Sequence, residues 1–317
     1  MRKVAVVGAG QWGRNLVRTF FELGVLGVVV EASPQLREEV SLQYPTTPVH
    51  DSIQFVLEDP SIRGVIVATP AATHYDIAKS CLISGKDVFI EKPMTLSSQE
   101  GEGLVKLSET HQRVLMVGHL LLYQPAIREM KKIMDAGRVG RVTTLHQQRL
   151  KLGRVRSVEN VLWSFGVHDL AVFLYLIGEE PTDTISVGQH VVQPLVEDDV
   201  FLHLRFANGV NAHLHNSWLY PEVVRKLTVI GTEGMLVYDE ITQTVTLHHK
   251  SIRSDLSNRD EGSEVIFQGD AQPLRIECEH FLECMETRQA PISDGRNGVA
   301  VVRILERASM KEGTTYA

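Results

Sequence analysis

Short apolar runs alternate with amphipathic stretches through the first 120 residues of the chain. The runs have the length of buried strands, and between them apolar side chains recur at the spacing of one helix face. The strand candidates are Val4–Val7, Val25–Val30, Gly64–Ala68, Asp87–Ile90 and Val114–Val117. The helix candidates are Trp12–Leu23, Pro34–Gln43, His74–Ser84 and Leu96–His111, with N-caps at Ser33 and Thr95. This alternation predicts a doubly wound parallel sheet with helices on both faces.

The pattern changes near Tyr123, where strand candidates begin to outnumber helices. The helices of this part are predicted over Pro125–Ala136, Gly166–Ile177, Pro273–Thr287 and Gly295–Lys311. The strands are predicted over Val139–Leu150, Val200–Phe206, Val210–Trp218, Val223–Ile230, Met235–Tyr238 and Thr244–His249. Residues 251–269 are polar and charged, and we predict that they form a loop.

We therefore predict an α/β protein with two domains. A doubly wound domain covers residues 1–120, and an α+β domain with a large, mostly antiparallel open sheet covers residues 121–317. We expect the last helix to pack back on the first domain. A sheet backed by only one or two helices leaves a face uncovered, so we also predict a homo-oligomer, a dimer or a tetramer, formed through this sheet.

Three glycines, Gly8, Gly10 and Gly13, follow the first strand directly. Gly8 lets the chain turn sharply, Gly10 lets the backbone approach a pyrophosphate, and Gly13 lets the following helix pack closely on the sheet. The N-terminus of that helix stabilises an anion through its free N–H groups and its dipole. The turn predicts a dinucleotide site, with Gln11 and Trp12 among the residues that contact the cofactor.

An acidic residue, Glu31, ends the second strand roughly 20 residues after the turn. Its carboxylate can accept hydrogen bonds from both hydroxyls of an adenosine ribose, and it would repel a 2′-phosphate. Because Ala32, Ser33 and Pro34 follow Glu31 and no arginine does, the sequence favours NAD over NADP as cofactor.

Another buried strand ends in Glu91, Lys92 and Pro93. Ligands of a doubly wound sheet bind beyond the carboxyl ends of its strands, so we expect Glu91 and Lys92 in the cofactor cleft. Thr69 and Pro70 end the preceding strand, and we expect them to line the same cleft.

Composition narrows the choice of partners. The formal charge of −7 argues against general nucleic-acid binding, and no segment has the apolar length of a membrane span. Met1 to Lys3 lead straight into the first strand, which leaves no room for a usual signal peptide, so we expect a cytoplasmic protein. The 3 cysteines lack the spacing of a metal site, and His203, His213 and His215 lack an acidic or cysteine partner. We therefore expect no metal.

Four features together resemble the glucose-fructose oxidoreductase/inositol 2-dehydrogenase family (Gfo/Idh/MocA). They are GAGQWG near residue 8, ATPAATH at residues 68–74, GKDVFIEKP at residues 85–93, and a C-terminal antiparallel sheet. The resemblance implies a Rossmann domain, a sheet domain that also forms oligomer contacts, and hydride exchange between a nicotinamide and a carbon of a sugar or polyol. We add His74, the last residue of ATPAATH, to the expected cofactor contacts.

Lys92 falls on the family's lysine, which binds the reacting hydroxyl and helps to move its proton. This role also has a physical basis. A partly desolvated lysine beside the cationic oxidised nicotinamide has its charged form disfavoured twice, so we expect its pKa to fall toward neutrality. Lys92 can then accept a hydroxyl proton as hydride leaves the same carbon.

Many members of the family carry an Asp-x-x-x-His pair at the start of the long helix in the second domain. In this chain His168 matches the histidine, but Ser164 stands in the place of the aspartate. Asp169 lies about 100° around a helix from His168 and should not simply substitute for the missing aspartate. Lys92 and His168 are therefore the expected catalytic acid–base residues.

A narrower resemblance, carried by residues 146–169 and by GHLLLYQPAIREM, is to the UDP-N-acetyl-glucosaminuronate 3-dehydrogenases of surface-polysaccharide biosynthesis, lipopolysaccharide included. These enzymes oxidise the 3-hydroxyl of the nucleotide sugar to a ketone. A uronate and a diphosphate both require cations. The expected cations share one loop and are Arg149, Lys151, Arg154 and Arg156. Asn160 and Tyr123 are candidate partners of sugar hydroxyls, and Trp163 is a candidate to stack on the nicotinamide or a sugar face.

The leading interpretation is an NAD-dependent nucleotide-sugar 3-dehydrogenase with a UDP-sugar as substrate and with no nucleic-acid or membrane partner. The sequence leaves two alternatives open. One is another sugar or polyol dehydrogenase of the same family, such as an inositol-type enzyme. The other is a non-catalytic NAD(H)-binding sensor, because the aspartate of the second domain is missing.

Overall fold

The computed structural model describes residues 3–270 and 272–309, which form two compact units. The first unit takes in the described residues up to Leu120 and the segment Gln272–Arg303. The second takes in the described part of Leu121–Ala271 and the residues from Ile304 to Ser309. None of the helices within these residues combines the length and the apolar character that crossing a membrane requires.

The helices lie close to their predicted positions in both units. In chain order they are α1 (Gly13–Glu22), α2 (Pro34–Gln43), α3 (Gln54–Glu58), α4 (His74–Ile83), α5 (Ser98–Thr110), α6 (Pro125–Asp135), α7 (Val167–Ile177), α8 (Pro273–Thr287) and α9 (Gly295–Ser309). Ala71–Thr73 and Leu120–Tyr123 form 3₁₀ turns, and Leu162–Gly166 forms a π-helical segment. Lys311, where the last helix was predicted to end, lies outside the described residues.

The first unit contains a parallel sheet, as predicted. Its strands are β1 (Lys3–Val7), β2 (Leu26–Val30), β3 (Val49–His50), β4 (Ile62–Val67), β5 (Asp87–Ile90) and β6 (Leu115–Val117). Their order across the sheet is β3-β2-β1-β4-β5-β6, and every described pairing between them is parallel. The central strands are buried on both faces, which is why each is a continuous apolar run. All their carboxyl ends meet at one edge, where the first glycine turn also lies.

The two N-cap predictions for the first unit have different outcomes, and two short elements were not predicted. Ser33 caps α2, because its Oγ accepts a hydrogen bond from the Leu36 amide at 3.4 Å. Thr95 does not cap α5, because the helix begins later, at Ser98. The Thr95 hydroxyl donates instead to the Ser97 carbonyl at 2.7 Å. Elements β3 and α3 were not predicted, because two and five residues are too short to show a period.

The second unit contains a mostly antiparallel sheet, also as predicted. Its strands are β7 (Val142–Leu152), β8 (Asp183–Gln189), β9 (Asp199–Arg205), β10 (Asn211–Ser217), β11 (Leu219–Gly231), β12 (Met235–Asp239), β13 (Thr244–Ile252) and β14 (Asn258–Gln268). The order is β14-β13-β12-β11-β7-β10-β9-β8, with one parallel pairing, between β7 and β10. Alternate residues of β9 are buried, while Phe201 between them is 43% exposed. Oligomerisation through such residues stays a prediction.

The prediction of a loop over residues 251–269 is wrong. Most of this segment is β14, which pairs antiparallel with β13. Strand β8 at the other end of the sheet was not predicted either. Both are edge strands with mostly exposed side chains. Strand β14 shows no alternation of apolar and polar residues, and in β8 the alternation is limited to Ile185 and Val187, which is too short a pattern to identify a strand.

Arg149 was predicted to meet a substrate anion from a loop, but the structure places it inside β7 with its charge already balanced. Its guanidinium donates to Asp169 of α7 at 2.9 Å and to Glu240, just after β12, at 2.8 Å. Asp169 is also held by the Asn216 amide at 3.2 Å. Arg149 is therefore a structural residue that fixes the first turn of α7 on the sheet, and with it the neighbouring His168.

Arg149→Met should destabilise the protein strongly. The substitution removes one partner of a buried ion pair and leaves the carboxylate of Asp169 uncompensated, which typically costs about 3–5 kcal/mol. Urea unfolding measures the loss. The control is Arg225→Met, since Arg225 also pairs with Glu240, at 3.0 Å, but is 39% exposed. The control should lose about 1 kcal/mol or less. Equal losses in the two variants would contradict a structural role special to Arg149.

Candidate active site

The turn after β1 has the geometry that a dinucleotide requires. Gly8 has a φ of +94°, which side-chain-bearing residues rarely adopt. A Cβ on Gly13 would lie 2.1 Å from the Gly8 carbonyl oxygen, so α1 packs on the turn as only glycine allows. Around Gly10, in contrast, no atom lies within 4 Å of where a Cβ would be. The open space at Gly10 and the N-terminus of α1 together fit a pyrophosphate.

Glu31 lies against this turn, at the end of β2. One of its carboxylate oxygens accepts the Ala9 amide at 2.6 Å, and the other accepts the Ser33 amide at 2.9 Å. Each oxygen therefore has one backbone donor and a further lone pair for a ribose hydroxyl. The contacts hold the carboxylate in place beside the turn, as the sequence-based expectation requires.

Glu91 connects the glycine turn to the end of β5. Its carboxylate accepts the indole N–H of Trp12 at 2.7 Å and the backbone amide of Lys92 at 3.3 Å. Gly118, which follows β6, passes so close that a Cβ there would lie 3.0 Å from the Glu91 carboxylate. Burial raises the pKa of Glu91 to about 7, against the Trp12 hydrogen bond and the charge of Lys92, which lower it. Trp12 itself is 41% exposed, so it combines a fixed indole nitrogen with an accessible ring.

Lys92 is half-buried and follows Glu91 directly, and its peptide bond to Pro93 is cis. On the neighbouring strand, Val117 pairs with Ile90, which places His119 opposite Lys92 two residues further on. His119 is 1% exposed, and neither ring nitrogen has a hydrogen-bond partner within the described residues. Burial, with the charge of Lys92, lowers the pKa of His119 to about 3, so its ring is neutral. The sequence analysis missed His119, because one histidine after an apolar strand carries no signal.

Glu277 of α8 is an acidic residue that the sequence analysis missed. It is fully buried near Glu91. Phe281, one turn later, packs on Phe89 of β5 with ring centroids 5.7 Å apart. Since Arg288 at the end of α8 bonds to Asp87 at the start of β5, the helix runs antiparallel to the strand and brings Glu277 to the level of Glu91.

Neither carboxyl oxygen of Glu277 has a hydrogen-bond partner within the described part of the chain. Burial, and then the charge of Glu91, raise the pKa of Glu277 well above its usual value. Both effects favour the protonated form of Glu277 over its carboxylate. Two adjacent carboxylates cannot both ionise cheaply in a desolvated place, so we expect the pair of buried carboxyl groups to carry at most one negative charge.

His74 was predicted to contact the cofactor, but the structure gives it a different task. Its ring is 1% exposed, with Nδ1 2.9 Å from the Pro93 carbonyl and Nε2 2.8 Å from the Thr69 carbonyl. Burial lowers the pKa of His74, so the neutral ring donates to one of these oxygens at a time. His74 thus braces the ends of β4 and β5 against each other. Thr69 and Pro70 are more accessible and stay candidate cofactor contacts.

In the second unit, a π-helical segment leads into α7, and His168, at the family's histidine position, is the second residue of α7. Asn160 holds the start of this segment, since its Oδ1 accepts the Trp163 amide at 2.9 Å and its Nδ2 donates to Glu197 at 2.5 Å. Ser164 is buried and His168 is half-buried. Segments of π-helix are frequent at functional sites. Each end of the Asn160 amide has one partner within the protein and a further N–H or lone pair, so contact with a sugar hydroxyl stays a prediction.

The remaining candidates of the second unit differ in how accessible their side chains are to a substrate. Tyr123 is completely buried beneath the guanidinium of Arg128, so its hydroxyl does not reach a substrate as predicted. Trp163 is half-buried, with its indole N–H donating to Ser309 at 3.1 Å. Arg154 and Arg156 are exposed on the loop after β7, where Arg156 pairs with Glu159 at 3.5 Å.

Glu277→Gln should change how stability depends on pH. The unfolded chain loses the Glu277 proton above the usual pKa of a glutamate, while the folded protein retains it, so this residue costs the unaltered protein stability as pH rises. Glutamine keeps the shape and has no proton to lose. We expect the free energy of unfolding of the variant to rise relative to that of the unaltered protein as the pH increases above the usual pKa of a glutamate. The gain is at most about 1.4 kcal/mol per pH unit.

Urea unfolding across this pH range measures the gain, with Glu279→Gln as control. Glu279 is exposed on the same helix, so its substitution should give a difference that hardly varies with pH. A difference for Glu277→Gln that is equally constant would show that Glu277 is not protonated in the folded protein.

Comparisons with known proteins agree with this geometry. Residues 2–119 match the model described as "Oxidoreductase family, NAD-binding Rossmann fold", and residues 127–237 match the "GFO/IDH/MocA C-terminal domain". The chain is 25% identical over 301 residues to the UDP-N-acetylglucosamine 3-dehydrogenase of Acidithiobacillus ferrooxidans, covering 95% of this chain and 94% of that protein. The solved structure of that enzyme superposes with a TM-score of 0.85 at 26% identity, covering 96% and 95% of the two chains.

A second relative has a different substrate. The scyllo-inositol 2-dehydrogenase (NAD(+)) of Bacillus subtilis is 27% identical over 309 residues, which cover 92% of this chain and 88% of the relative. The two family models together span most of the chain, and the first covers the glycine turn, Glu31 and Glu91. The chain belongs to the Gfo/Idh/MocA oxidoreductase family, and its first unit is an NAD-binding Rossmann domain.

Proposed function

We propose that the protein is an NAD-dependent dehydrogenase that oxidises the 3-hydroxyl of a UDP-N-acetyl-glucosaminuronate-type nucleotide sugar to a ketone, in the formation of a surface-polysaccharide precursor. The observation that carries the proposal is the position of Lys92 next to Glu91, which is hydrogen-bonded to the glycine turn. The similarity to a UDP-N-acetylglucosamine 3-dehydrogenase over 95% of the chain supports a nucleotide sugar as substrate.

The chemistry of Lys92 follows from its place at the end of β5. Its Nζ takes the proton of the sugar hydroxyl, which frees the electron pair that forms the carbonyl. NAD, when bound, supplies the acceptor for the hydride that leaves the same carbon. Glu91 fixes the backbone at Lys92, and Pro93 is held from the other side by His74. Both contacts limit the motion of the lysine, as a proton acceptor in a fixed geometry requires.

His168 is our second acid–base candidate. Arg149 anchors the neighbouring Asp169 at 2.9 Å, so the first turn of α7 has a fixed position. With Ser164 in the place of the family's aspartate, no carboxylate of that position orients the imidazole. We propose that the Arg149–Asp169 contact holds the first turn of α7, and with it His168, in a fixed position. Lys92 is the main acceptor of the proton.

The choice of substrate depends on few cations. Arg149 is neutralised inside the sheet, and Lys151 lies 5.5 Å from the ring of Phe165. Arg156 has Glu159 as an ion-pair partner. Arg154 is exposed on the loop after β7, and we assign it to the uronate or the diphosphate of the substrate because an exposed guanidinium can form a charge-assisted contact with either group. For the cofactor, the position of Glu31 supports NAD over NADP, because a 2′-phosphate would meet its carboxylate.

An inositol-type dehydrogenase is the second candidate function. The observation in its favour is that Arg149 and Tyr123 are occupied by contacts within the protein or completely buried, which leaves fewer groups for a large anionic substrate. The 27% identity to a scyllo-inositol 2-dehydrogenase supports the same candidate.

Near-ultraviolet absorbance of the protein with NAD separates these functions. UDP-N-acetyl-glucosaminuronate should reduce the nicotinamide faster than UDP-N-acetylglucosamine does, and scyllo-inositol should not reduce it. Reduction by scyllo-inositol alone would replace the proposal with the second candidate. No reduction by any polyol or sugar, with NAD bound, would favour a non-catalytic NAD(H)-binding protein.

Lys92→Met should abolish most turnover while the protein still folds and binds NAD. Methionine has a similar length but no proton acceptor, and loss of a general base costs about two to four orders of magnitude in rate. The measurements are kcat, and NAD binding by calorimetry. Lys79→Met, an exposed lysine on α4, serves as control and should keep its rate. Near-normal turnover of Lys92→Met would refute the proposed role.

Arg154→Gln should raise the KM for the anionic nucleotide sugar by roughly 10- to 150-fold, the equivalent of one charge-assisted hydrogen bond of about 1.5–3 kcal/mol. The effect on kcat should be smaller, because this residue is not expected at the reacting carbon. Arg141→Gln, an exposed arginine of the same unit, is the matched control. An unchanged KM would remove Arg154 from the substrate site and with it the main support for a uronate.

A further inference from the structure

A cavity of about 760 Å³ lies in the first unit, away from the cofactor turn. It is lined by residues of the first half of β4, the residues that precede β6, and the segment that joins α8 to α9. These are the amino ends of the parallel strands, so the cavity opens at the edge of the sheet opposite to Gly8 and Glu91. Its volume is within the range of small-molecule pockets, roughly 300–1,000 Å³.

Arginines dominate the charge of this cavity. Four of them line it, against two acidic residues, in a chain whose formal charge is −7. They come from separate segments and are Arg63, Arg113, Arg288 and Arg296. Convergence of distant arginines at one cavity is not a consequence of composition, and it is the arrangement by which proteins bind phosphate and carboxylate groups.

The wall of the cavity is fixed by a buried carboxylate. Asp87 at the start of β5 is fully buried and accepts two hydrogen bonds from Arg288, at 2.7 and 2.9 Å. It also accepts the Val114 amide at 2.9 Å. Arg288 is thereby held in one orientation without a bound anion, which is the preorganisation that a binding site needs.

The two acidic residues of the lining are already engaged. Asp294 caps α9, since its carboxylate accepts the Asn297 amide at 2.8 Å, and Glu109 pairs with Arg296 at 2.7 Å. Arg63 and Arg113, in contrast, form no ion pair with any carboxylate of residues 3–270 or 272–309. Nε of Arg113 donates to the His111 carbonyl at 2.9 Å, which steadies the guanidinium and leaves its terminal nitrogens for another acceptor.

We propose that this cavity binds a small polyanion, a phosphate ester or a polycarboxylate, whose charged groups contact Arg63 and Arg113. Polar uncharged side chains of the lining, Ser108, Gln112 and Gln289, are available to the rest of the ligand. Because the cavity and the glycine turn lie at opposite edges of the sheet, the ligand does not compete with NAD. The inference is independent of which substrate the enzyme oxidises.

The test is isothermal titration calorimetry of the full-length protein saturated with NAD, so that the glycine turn is filled. Inorganic pyrophosphate and citrate are the two probes, and they distinguish a phosphate site from a carboxylate site. The double variant Arg63→Gln, Arg113→Gln leaves the Arg288–Asp87 contact intact. Both side chains are half-buried and lack carboxylate partners among the described residues, so the variant should keep its melting temperature.

We expect at least one probe to bind the unaltered protein with a single site, and the double variant to bind it at least about tenfold more weakly. Two controls should bind as the unaltered protein does. Arg18→Gln removes an exposed arginine of the same unit, and Arg154→Gln removes the proposed substrate contact. The proposal is overturned if neither probe binds, if the double variant binds equally well, or if Arg154→Gln alone abolishes binding.

Discussion

The arrangement of the first unit's candidate site depends on the hydrogen bonds of one buried carboxyl group, that of Glu91 at the end of β5. Glu91 joins the glycine turn, through Trp12, to the backbone of Lys92, with Gly118 of the next strand closing the space around it. Sheet order makes this possible, because β1, β4, β5 and β6 are neighbours whose carboxyl ends lie at one edge. The cofactor turn and the lysine that we propose as proton acceptor are therefore parts of one hydrogen-bonded structure.

The surroundings of Glu91 also control charge. Burial and the charge of Glu91 favour the protonated form of Glu277, and the neutral ring of His119 lies opposite Lys92. Buried polar groups without protein partners are costly, so they are uncommon unless they have a task. Without a second carboxylate beside it, the lysine has less stabilisation of its ammonium form, which agrees with the proposed role of Lys92 as proton acceptor.

Local patterns of the sequence were sufficient for the fold and for the cofactor turn. Gly8, Gly10, Gly13 and Glu31 belong to a short segment whose spacing reflects backbone geometry directly. Long-range partners could not be predicted in the same way. Arg149 was interpreted as a substrate contact because its partner Glu240 is 91 residues away, and a charge in a sequence does not reveal its neutralisation. The edge strands β8 and β14 were missed for the opposite reason, since they bury too little to show a period.

The two edges of the parallel sheet differ in charge because its helices have a direction. At the cofactor edge, the N-terminus of α1 offers positive partial charge, and Glu31 and Glu91 lie there. At the opposite edge, α5 and α8 end, and Arg113 and Arg288 lie at their carbonyl ends, where cations are stabilised. The arginines of the cavity therefore cost the empty protein little stability. A site can persist there without its ligand, since helix ends and Asp87 balance part of the charge, while the terminal nitrogens of Arg113 are available to an anion.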